Sequence, residues 1–332
     1  MENGDARDMN RPSPITDPAP SHRSYDRGFG IVAYGLLLLT ILFFSYLHNF
    51  HPHVLSVPDN TDIASWKKPS FPETLIHGQV SEEQRIKLEH EGVPLGKDMA
   101  MQLAGDLFTV LLGLICFIHA RKHFGFWMAS CFLIGSFAFT GLEESLWILS
   151  GRFLGGLIRN PLGEVFYGTY WFTRGGFWFI ETPIAACLGW FFIAYSCVLT
   201  AGKVFPRMNL WGRAVIGGLI AMVIDLWMDP IQTSPEVMAW VWGKGDVLQL
   251  FGIPHYNFLG WFLLIFLFAI FWEKLPTLEK TYGRAKATNL FFLIILTVPL
   301  LVYIFIWLWM FVLGYLFCLI GVEHALHIPA GW

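Results

Sequence analysis

The sequence predicts an all-α, multi-pass transmembrane helix bundle, because it is apolar overall and contains long apolar runs. The chain has 332 residues, of which 55% are hydrophobic, 17% aromatic and only 14% charged, whereas soluble domains carry about 25% charged residues. Its mean hydropathy is +0.52. Seven mostly apolar runs, each of about 17 residues or more, are long enough to cross a bilayer.

The predicted spans are separated by charged residues, glycine and proline. They cover residues 29–47, 104–120, 126–149, 182–201, 210–228, 257–272 and 290–321. Residues 1–28 mix arginine with Asp, Ser and Pro, which predicts a disordered cytoplasmic tail before a single transmembrane domain over 29–332. An extramembrane loop is predicted at about 50–104. The aromatic, glycine-rich stretch 166–179 predicts a re-entrant or interfacial segment, or an eighth short span.

The basic residues predict the orientation of the bundle. Thirteen lysines and arginines flank one side of the predicted spans, whereas the short loops of the other side carry four. Because cytoplasmic loops are enriched in Lys and Arg, we expect a cytoplasmic N-terminus, an outer C-terminus and residence in a bacterial inner membrane. The net charge of −3 and the pI near 6.4 give no indication of nucleic-acid binding.

Two aspartates in the fifth predicted span are the most informative polar residues. Asp225 and Asp229 lie four residues apart, which places them on one face of a helix, about 6 Å apart along its axis. Pro230 is expected to end that helix. Burying a charge in a bilayer is costly, so these carboxyls predict a Brønsted acid facing an apolar molecule. The structural alternative is that they bond backbone amides or an arginine such as Arg152, Arg159 or Arg174.

Other polar and aromatic residues are expected at the same end of the bundle. Glu143 and Glu144 are adjacent, so only one is expected to face the bundle, and Glu143 is favoured. His255 and Asn257 open the sixth span. Nearby aromatic residues form either an interfacial belt or a pocket that binds a polyene and stabilises a carbocation. The candidates for this pocket are Trp147, Tyr170, Trp227, Trp240 and Trp261.

No metal and no cofactor are predicted. His119 and His123 form an HxxxH on the predicted cytoplasmic side. The histidines predicted on the outer side are His48, His51, His53, His324 and His327. A di-iron site needs its histidines on one face, so we do not expect one, while a mononuclear metal on His48, His51 or His324 stays open. The five cysteines lie inside apolar runs without a CxxC pair, which predicts small buried side chains.

Three motifs around the aspartates form a set. They are IDLWMDP at 224–230, the pair Trp240 and Trp242, and GIPHYNFLGW at 252–261. In this order and spacing they resemble the carotenoid biosynthesis membrane-protein family, which includes the γ-carotene hydratases of bacteria and the bisanhydrobacterioruberin hydratases of haloarchaea. The other matching positions are Glu143 or Glu144, Pro183 and Trp190. The resemblance covers about half of the chain, and the two longer motifs together are its specific part.

The resemblance implies that water is added across the terminal C=C of a carotenoid or related isoprenoid, giving a tertiary alcohol. On this hypothesis Asp225 or Asp229 protonates the alkene, and the other aspartate or Glu143 orients the water. Asn257 holds that water or its carboxyl partner. Trp227 and Trp261 line the pocket. Two alternatives stay open, namely an isoprenoid cyclase or isomerase using the same acid, and a non-enzymatic carrier of lipids or carotenoids.

Overall fold

The computed structural model describes residues 20–51, 99–154, 170–172, 175–233, 239–242, 248–251, 253–321 and 326–328. Over these residues the protein is an all-α bundle with short strands in its connections. Six helices are long and apolar enough to cross a membrane, which confirms the predicted all-α, multi-pass class. The chain before residue 20 and most of the predicted loop at 50–104 lie outside the described residues.

The described part of the chain forms six helices. Helices suit a membrane bundle because, in lipid, a helix satisfies every backbone N–H and C=O within one segment. In chain order they are α1 (Pro20–Phe50), α2 (Met99–Leu154), α3 (Ile184–Val204), α4 (Leu210–Gln232), α5 (His255–Tyr282) and α6 (Arg284–Leu319). α1 begins nine residues before the predicted start of the first span, so residues 20–28 are helical rather than part of a tail. Its polar first turns are held by Asp26, which accepts hydrogen bonds from Arg284.

The chain reverses direction inside α2, at Gly125. This residue has φ 81° and ψ 167°, a left-handed conformation that favours glycine. Gly113 lies against Leu188 and Gly141 lies against Cys187, although a straight helix would separate the two glycines by about 42 Å. The two arms therefore run antiparallel, and they correspond to the second and third predicted spans. The total of seven crossings stays a prediction.

Short strands occur in the connections between helices. They are β1 (Tyr170–Phe172), β2 (Trp178–Phe179), β3 (Thr182–Pro183), β4 (Trp240–Trp242), β5 (Leu248–Leu250), β6 (Ile253–Pro254) and β7 (Leu326–Ile328). β1 pairs antiparallel with β4, β2 with β3 and β5 with β6, while β7 is parallel to β5. The alternative of an eighth helical span is wrong for the described residues of 166–179, which form strands and bends around Gly175 and Gly176.

The β2–β3 hairpin is buried against α1, α2 and α3. The backbone N–H of Trp178 donates to Ser45 Oγ at 2.8 Å, and its ring stacks on His48 with centroids 4.2 Å apart. Gly141 leaves space for this hairpin, because a Cβ there would lie 2.3 Å from the Phe179 ring. The backbone groups of a non-helical segment packed among membrane helices have to be surrounded by protein or water, and these contacts provide protein.

α4 and α5 approach closely, which brings the aspartates of α4 to the start of α5. A Cβ at Gly218 would lie 2.8 Å from the carbonyl oxygen of Phe262, so only glycine permits this distance. Pro230 does not end α4 as predicted, since the helix continues to Gln232. The Thr233 N–H donates to Asp229 O, and this bond closes the last turn after the proline.

Ion pairs connect the helices at the opposite end of the bundle, which we call the ion-pair end. Arg284 Nη1 lies 2.9 Å from both carboxylate oxygens of Asp26, and Nε donates to Glu279. The guanidinium also lies over the Trp127 ring, 4.6 Å from its centroid. A second pair at this end joins Arg213 on α4 to Glu273 on α5. These contacts connect α1, α2, α4, α5 and α6.

Candidate active site

The aspartates of α4 share one face, as their spacing predicts, and both are buried. Asp225 is 0% exposed and Asp229 is 2% exposed. The side-chain amide of Asn257, in the first turn of α5, donates to both of them. Its Nδ2 lies 2.7 Å from Asp225 Oδ2 and 2.8 Å from Asp229 Oδ2. One amide group therefore bridges two carboxyls from consecutive turns of the neighbouring helix.

Glu143 and Glu144 on α2 are both buried, which corrects the expectation that only one faces the bundle. Their side chains are 6% and 9% exposed. Trp147 Nε1 donates to Glu143 Oε1 at 2.6 Å, while the Trp190 indole is a hydrogen-bonding neighbour of Glu144. The side chains of Glu143 and Glu144 both face the interior, because the second arm of α2 is buried around most of its circumference.

These groups surround a small cavity. Its polar lining consists of Glu143, Glu144 and Asn257, and its apolar lining includes Gly260, Leu264 and Ile306. About 20 Å³ inside is open to the centre of a water molecule, which is room for one or two waters. Asp225 and Asp229 are next to this cavity rather than in its lining, since they contact it through Asn257.

Aromatic rings form the rest of the wall. Trp190 and Trp261 stack with centroids 4.4 Å apart, and Trp147 stacks on Tyr256 at 5.4 Å. All four residues line the cavity. The faces of such rings attract a positive charge, most strongly when water is excluded. The walls can therefore stabilise a cation formed next to the carboxyls.

Two carboxyl oxygens of the cluster lack a hydrogen-bond partner among the described residues. They are Glu144 Oε2 and Asp225 Oδ1, and both are buried. Because buried polar atoms in proteins are nearly always hydrogen-bonded, such atoms indicate a place for water or ligand. Glu144 is the one of the two that lines the cavity.

The structure separates the other predicted pocket residues from the cavity. Trp227 is 72% exposed, so the prediction that it lines the pocket is wrong. It lies two residues from Asp225 and Asp229, which puts it on the opposite face of α4. Trp240 packs on Phe172 instead, with centroids 5.8 Å apart.

The remaining predicted substrate-binding residues are His255 and Tyr170, and both form contacts with other elements of the structure. His255 Nε2 accepts a hydrogen bond from Trp309 Nε1 at 3.0 Å, and it lies outside the cavity lining. Tyr170 belongs to β1, where its backbone pairs with Trp242. Trp147 and Trp261 are the predicted aromatic residues that line the cavity.

Among the polar and aromatic residues that line the cavity, Glu144, Trp190 and Tyr256 are not predicted site residues. Signals for them were present. Tyr256 is next to Asn257 in the GIPHYNFLGW motif, and Trp190 is among the positions that carry the resemblance. Their contacts depend on how α2, α3 and α5 are packed, which spacing alone does not give.

Metal ligation was left open for three histidines. His48 Nε2 is 2.6 Å from Ile180 O and 4.0 Å from Glu181 Oε2, and His51 Nε2 is 2.9 Å from Tyr46 OH. His324 lies outside the described residues. Within the described part of the chain, no group of three or more His, Cys, Asp or Glu could hold a metal ion.

The fold and the site define a multi-pass helical membrane protein with buried carboxyls beside an aromatic cavity. Residues 104–326 match the family model described as carotenoid biosynthesis protein. The match spans more than half of the chain and includes all cavity residues, so the chain belongs to the carotenoid biosynthesis protein family and has a role in carotenoid biosynthesis. This confirms the resemblance found in the motifs. No curated protein and no solved structure matches the chain.

Proposed function

We propose that the protein is a hydratase, which adds water to the terminal C=C of a carotenoid or related isoprenoid and forms a tertiary alcohol. The observation that supports this most directly is Glu144, a buried carboxyl with an unpartnered oxygen on an aromatic cavity with room for water. The apolar substrate is expected to reach this cavity from the bilayer, since the protein is an integral membrane protein of the carotenoid biosynthesis family.

The chemistry requires three things that such a cavity can supply. Protonating a trisubstituted alkene gives a tertiary carbocation, so a positioned acid comes first. The cation then has to be stabilised, which suits the stacked rings of Trp190 and Trp261. Finally, a water has to be close enough to capture it. The product contains the atoms of one water and no electron leaves the substrate, so the reaction itself is not a redox step.

The space next to the carboxyls is smaller than an isoprenoid end group. It accepts water, so the end group can enter only after side chains around the cavity move. Trp190 and Trp261 are expected to move, because they form one wall and contact each other directly. Substrate binding and a change in their packing should therefore occur together.

The two alternative functions, an isomerase or cyclase and a carrier, would use the cavity in different ways. An isomerase or cyclase would protonate the alkene and exclude water, while a carrier would bind the polyene without reaction. A cavity of water size between a carboxyl and an amide favours hydration over both. The product of the reaction discriminates among the three.

The test is expression in a host that makes lycopene and γ-carotene, followed by mass spectrometry of the extracted pigments. We expect a new pigment heavier by one water, and oxygen in it that comes from isotopically labelled water rather than from O₂. An isomer of unchanged mass would support the isomerase or cyclase. Unaltered pigments in the presence of the protein would contradict a terminal carotenoid hydratase.

The matched variants for this test are Glu144→Gln and Glu273→Gln, compared at equal amounts of protein in the membrane. Both remove one carboxyl, but Glu144 lines the cavity and Glu273 pairs with Arg213 at the ion-pair end. We expect Glu144→Gln to lose the hydrated pigment and Glu273→Gln to retain it. Equal retention by both would contradict a role for the cavity in catalysis.

A further inference from the structure

We propose that Glu144 and Asn257 form the binding site of the water that is added, and that Asp225 and Asp229 are positioning residues for the Asn257 amide. This assignment of roles, which rests on the proposed hydration, differs from the hypothesis that an aspartate donates the proton. It follows from how the hydrogen-bonding groups of one asparagine are distributed.

The amide of Asn257 is fixed in one orientation by the aspartates. A side-chain amide has two N–H donors on nitrogen and acceptor positions on oxygen only. Both donors are used, because Nδ2 lies 2.7 Å from Asp225 Oδ2 and 2.8 Å from Asp229 Oδ2. Oδ1, which can only accept hydrogen bonds, therefore points away from the aspartates.

The spacing of Asp225 and Asp229 allows them to hold the Asn257 amide in one orientation. Residues at i and i+4 lie on one helix face, so their carboxyls can receive the two hydrogens of one NH₂ group. Both side chains are buried, at 0% and 2% exposed. The close approach of α4 and α5 at Gly218 keeps the two helices in register with each other. With only one aspartate as acceptor, the amide could rotate about the single remaining hydrogen bond.

Glu144 provides the other half of the water site. Its side chain is 9% exposed, its Oε2 has no hydrogen-bond partner among the described residues, and it lines the same cavity as Asn257. A water between them can donate one hydrogen to Glu144 and the other to Asn257 Oδ1. The cavity has room for it, at about 20 Å³ open to the centre of a water molecule.

The reaction balances with these groups alone. Glu144, as a carboxylic acid, gives its proton to the less substituted alkene carbon, and the π electrons form the new C–H bond. The resulting carboxylate and Asn257 Oδ1 hold the two hydrogens of the water, so its lone pair is left to attack the tertiary cation. The C–O bond forms, one O–H bond of the water breaks, and that proton returns to Glu144. Asp225 and Asp229 exchange no proton with the substrate.

The test compares asparagine and alanine at each aspartate. Asn keeps an acceptor oxygen for the Asn257 amide, whereas Ala removes it. We expect Asp225→Asn and Asp229→Asn to retain hydration within about tenfold of wild type, at the scale of one altered hydrogen bond. We expect Asp225→Ala and Asp229→Ala to lose about a hundredfold, as for a misplaced reactant. Glu144→Gln should lose about a hundredfold or more, as for a missing general acid.

A second measurement does not depend on activity. Electron cryomicroscopy of the wild-type protein in lipid nanodiscs should show water density between Glu144 Oε2 and Asn257 Oδ1. The same density should persist in Asp225→Asn and disappear in Asp225→Ala. Product yields are normalised to protein that elutes as a single folded species, because a buried Asp→Ala change can also reduce folding.

Two results would overturn the assignment. The first is Asp→Asn variants that are as inactive as the Asp→Ala variants while they keep the water density, since an aspartate would then be the acid. The second is a wild-type cavity without ordered water. Wild-type protein that binds the water but makes no hydrated pigment would instead overturn the proposed hydration and leave the water site supported.

Discussion

The carboxyl groups at the two ends of the helix bundle differ in their exposure and in their hydrogen-bond partners. At the ion-pair end, Asp26 and Glu279 meet Arg284, and these side chains are 13%, 22% and 15% exposed. At the cavity end, Asp225 and Glu143 are 0% and 6% exposed, and they accept hydrogen bonds from a neutral amide and a neutral indole.

The acids of the ion-pair end join helices, whereas those of the cavity end surround the candidate site. A carboxylate held by a guanidinium is stabilised as the anion and gains from the charge-assisted geometry. A carboxyl that receives only neutral donors in a buried place is poorly compensated for lost hydration, so it is a costly way to join helices. Such groups are expected at functional sites. Four predictions compare the two ends, in order of decreasing effect on stability.

The largest effect on stability is expected at the ion-pair end. Arg284→Gln removes the bonds to Asp26 and Glu279 and the contact with Trp127. We expect the free energy of unfolding to fall by about 2 to 3 kcal/mol, because two partly buried carboxylates lose their partner. Thermal unfolding in detergent measures this. Hydrated pigment per folded protein should stay at the wild-type level, and a tenfold loss would show that the two ends are coupled.

At the cavity end, we expect Gly141→Ala to destabilise the docking of the β2–β3 hairpin. The new Cβ would lie 2.3 Å from the Phe179 ring and 3.3 Å from Cys187 Sγ, so the unfolding free energy should fall by about 2 kcal/mol through overpacking. The matched control is Gly189→Ala, where no atom lies within 4 Å. That change should be neutral or stabilise by up to about 1 kcal/mol. Equal melting temperatures for both variants would contradict the packing of this hairpin.

A smaller change is expected for Trp147→Phe, which keeps an aromatic ring but removes the N–H that donates to Glu143. A buried acceptor left unpaired costs about 1 to 2 kcal/mol, and hydrated pigment should fall several-fold because Glu143 lines the cavity. Pigment analysis and thermal unfolding measure the two effects. Trp227→Phe, at a side chain that is 72% exposed, is the control and should change neither. Similar losses in both variants would disprove a specific role for the indole of Trp147.

The smallest effect is expected for Glu273→Gln. This carboxyl is 18% exposed and pairs with Arg213, which is 21% exposed, and pairs near a surface contribute less than about 1 kcal/mol. The melting temperature should therefore shift by a few degrees at most. A loss of stability as large as that of Arg284→Gln would mean that the ion-pair end depends on Arg213 as well.

Much of the fold was predictable because the bilayer imposes a simple rule. Apolar runs long enough to cross it become helices, and the six long helices of the structure coincide with predicted spans. The exact ends were less predictable. α4 continues through Pro230 to Gln232, and α1 begins at Pro20, because contacts with other segments extend these helices beyond their apolar runs.

The candidate site was predictable where it depends on spacing within one helix. The shared face of Asp225 and Asp229 is an example. Where spacing was not applied, the prediction failed, since Trp227 lies on the opposite face from the aspartates it was expected to accompany. The burial of Glu144 needed knowledge of the neighbours of α2 on every side.

Local features of the sequence are enough to predict a bundle of membrane-spanning helices and two acids on one face of α4. Both follow from local rules, namely the length of apolar runs and the rotation per residue along a helix. The bridge from Asn257 to those acids and the position of Glu144 beside a cavity with room for water are seen only in the packed structure. The cavity brings together residues more than a hundred positions apart, from Glu143 to Ile306, so it depends on helix packing, which no local pattern encodes.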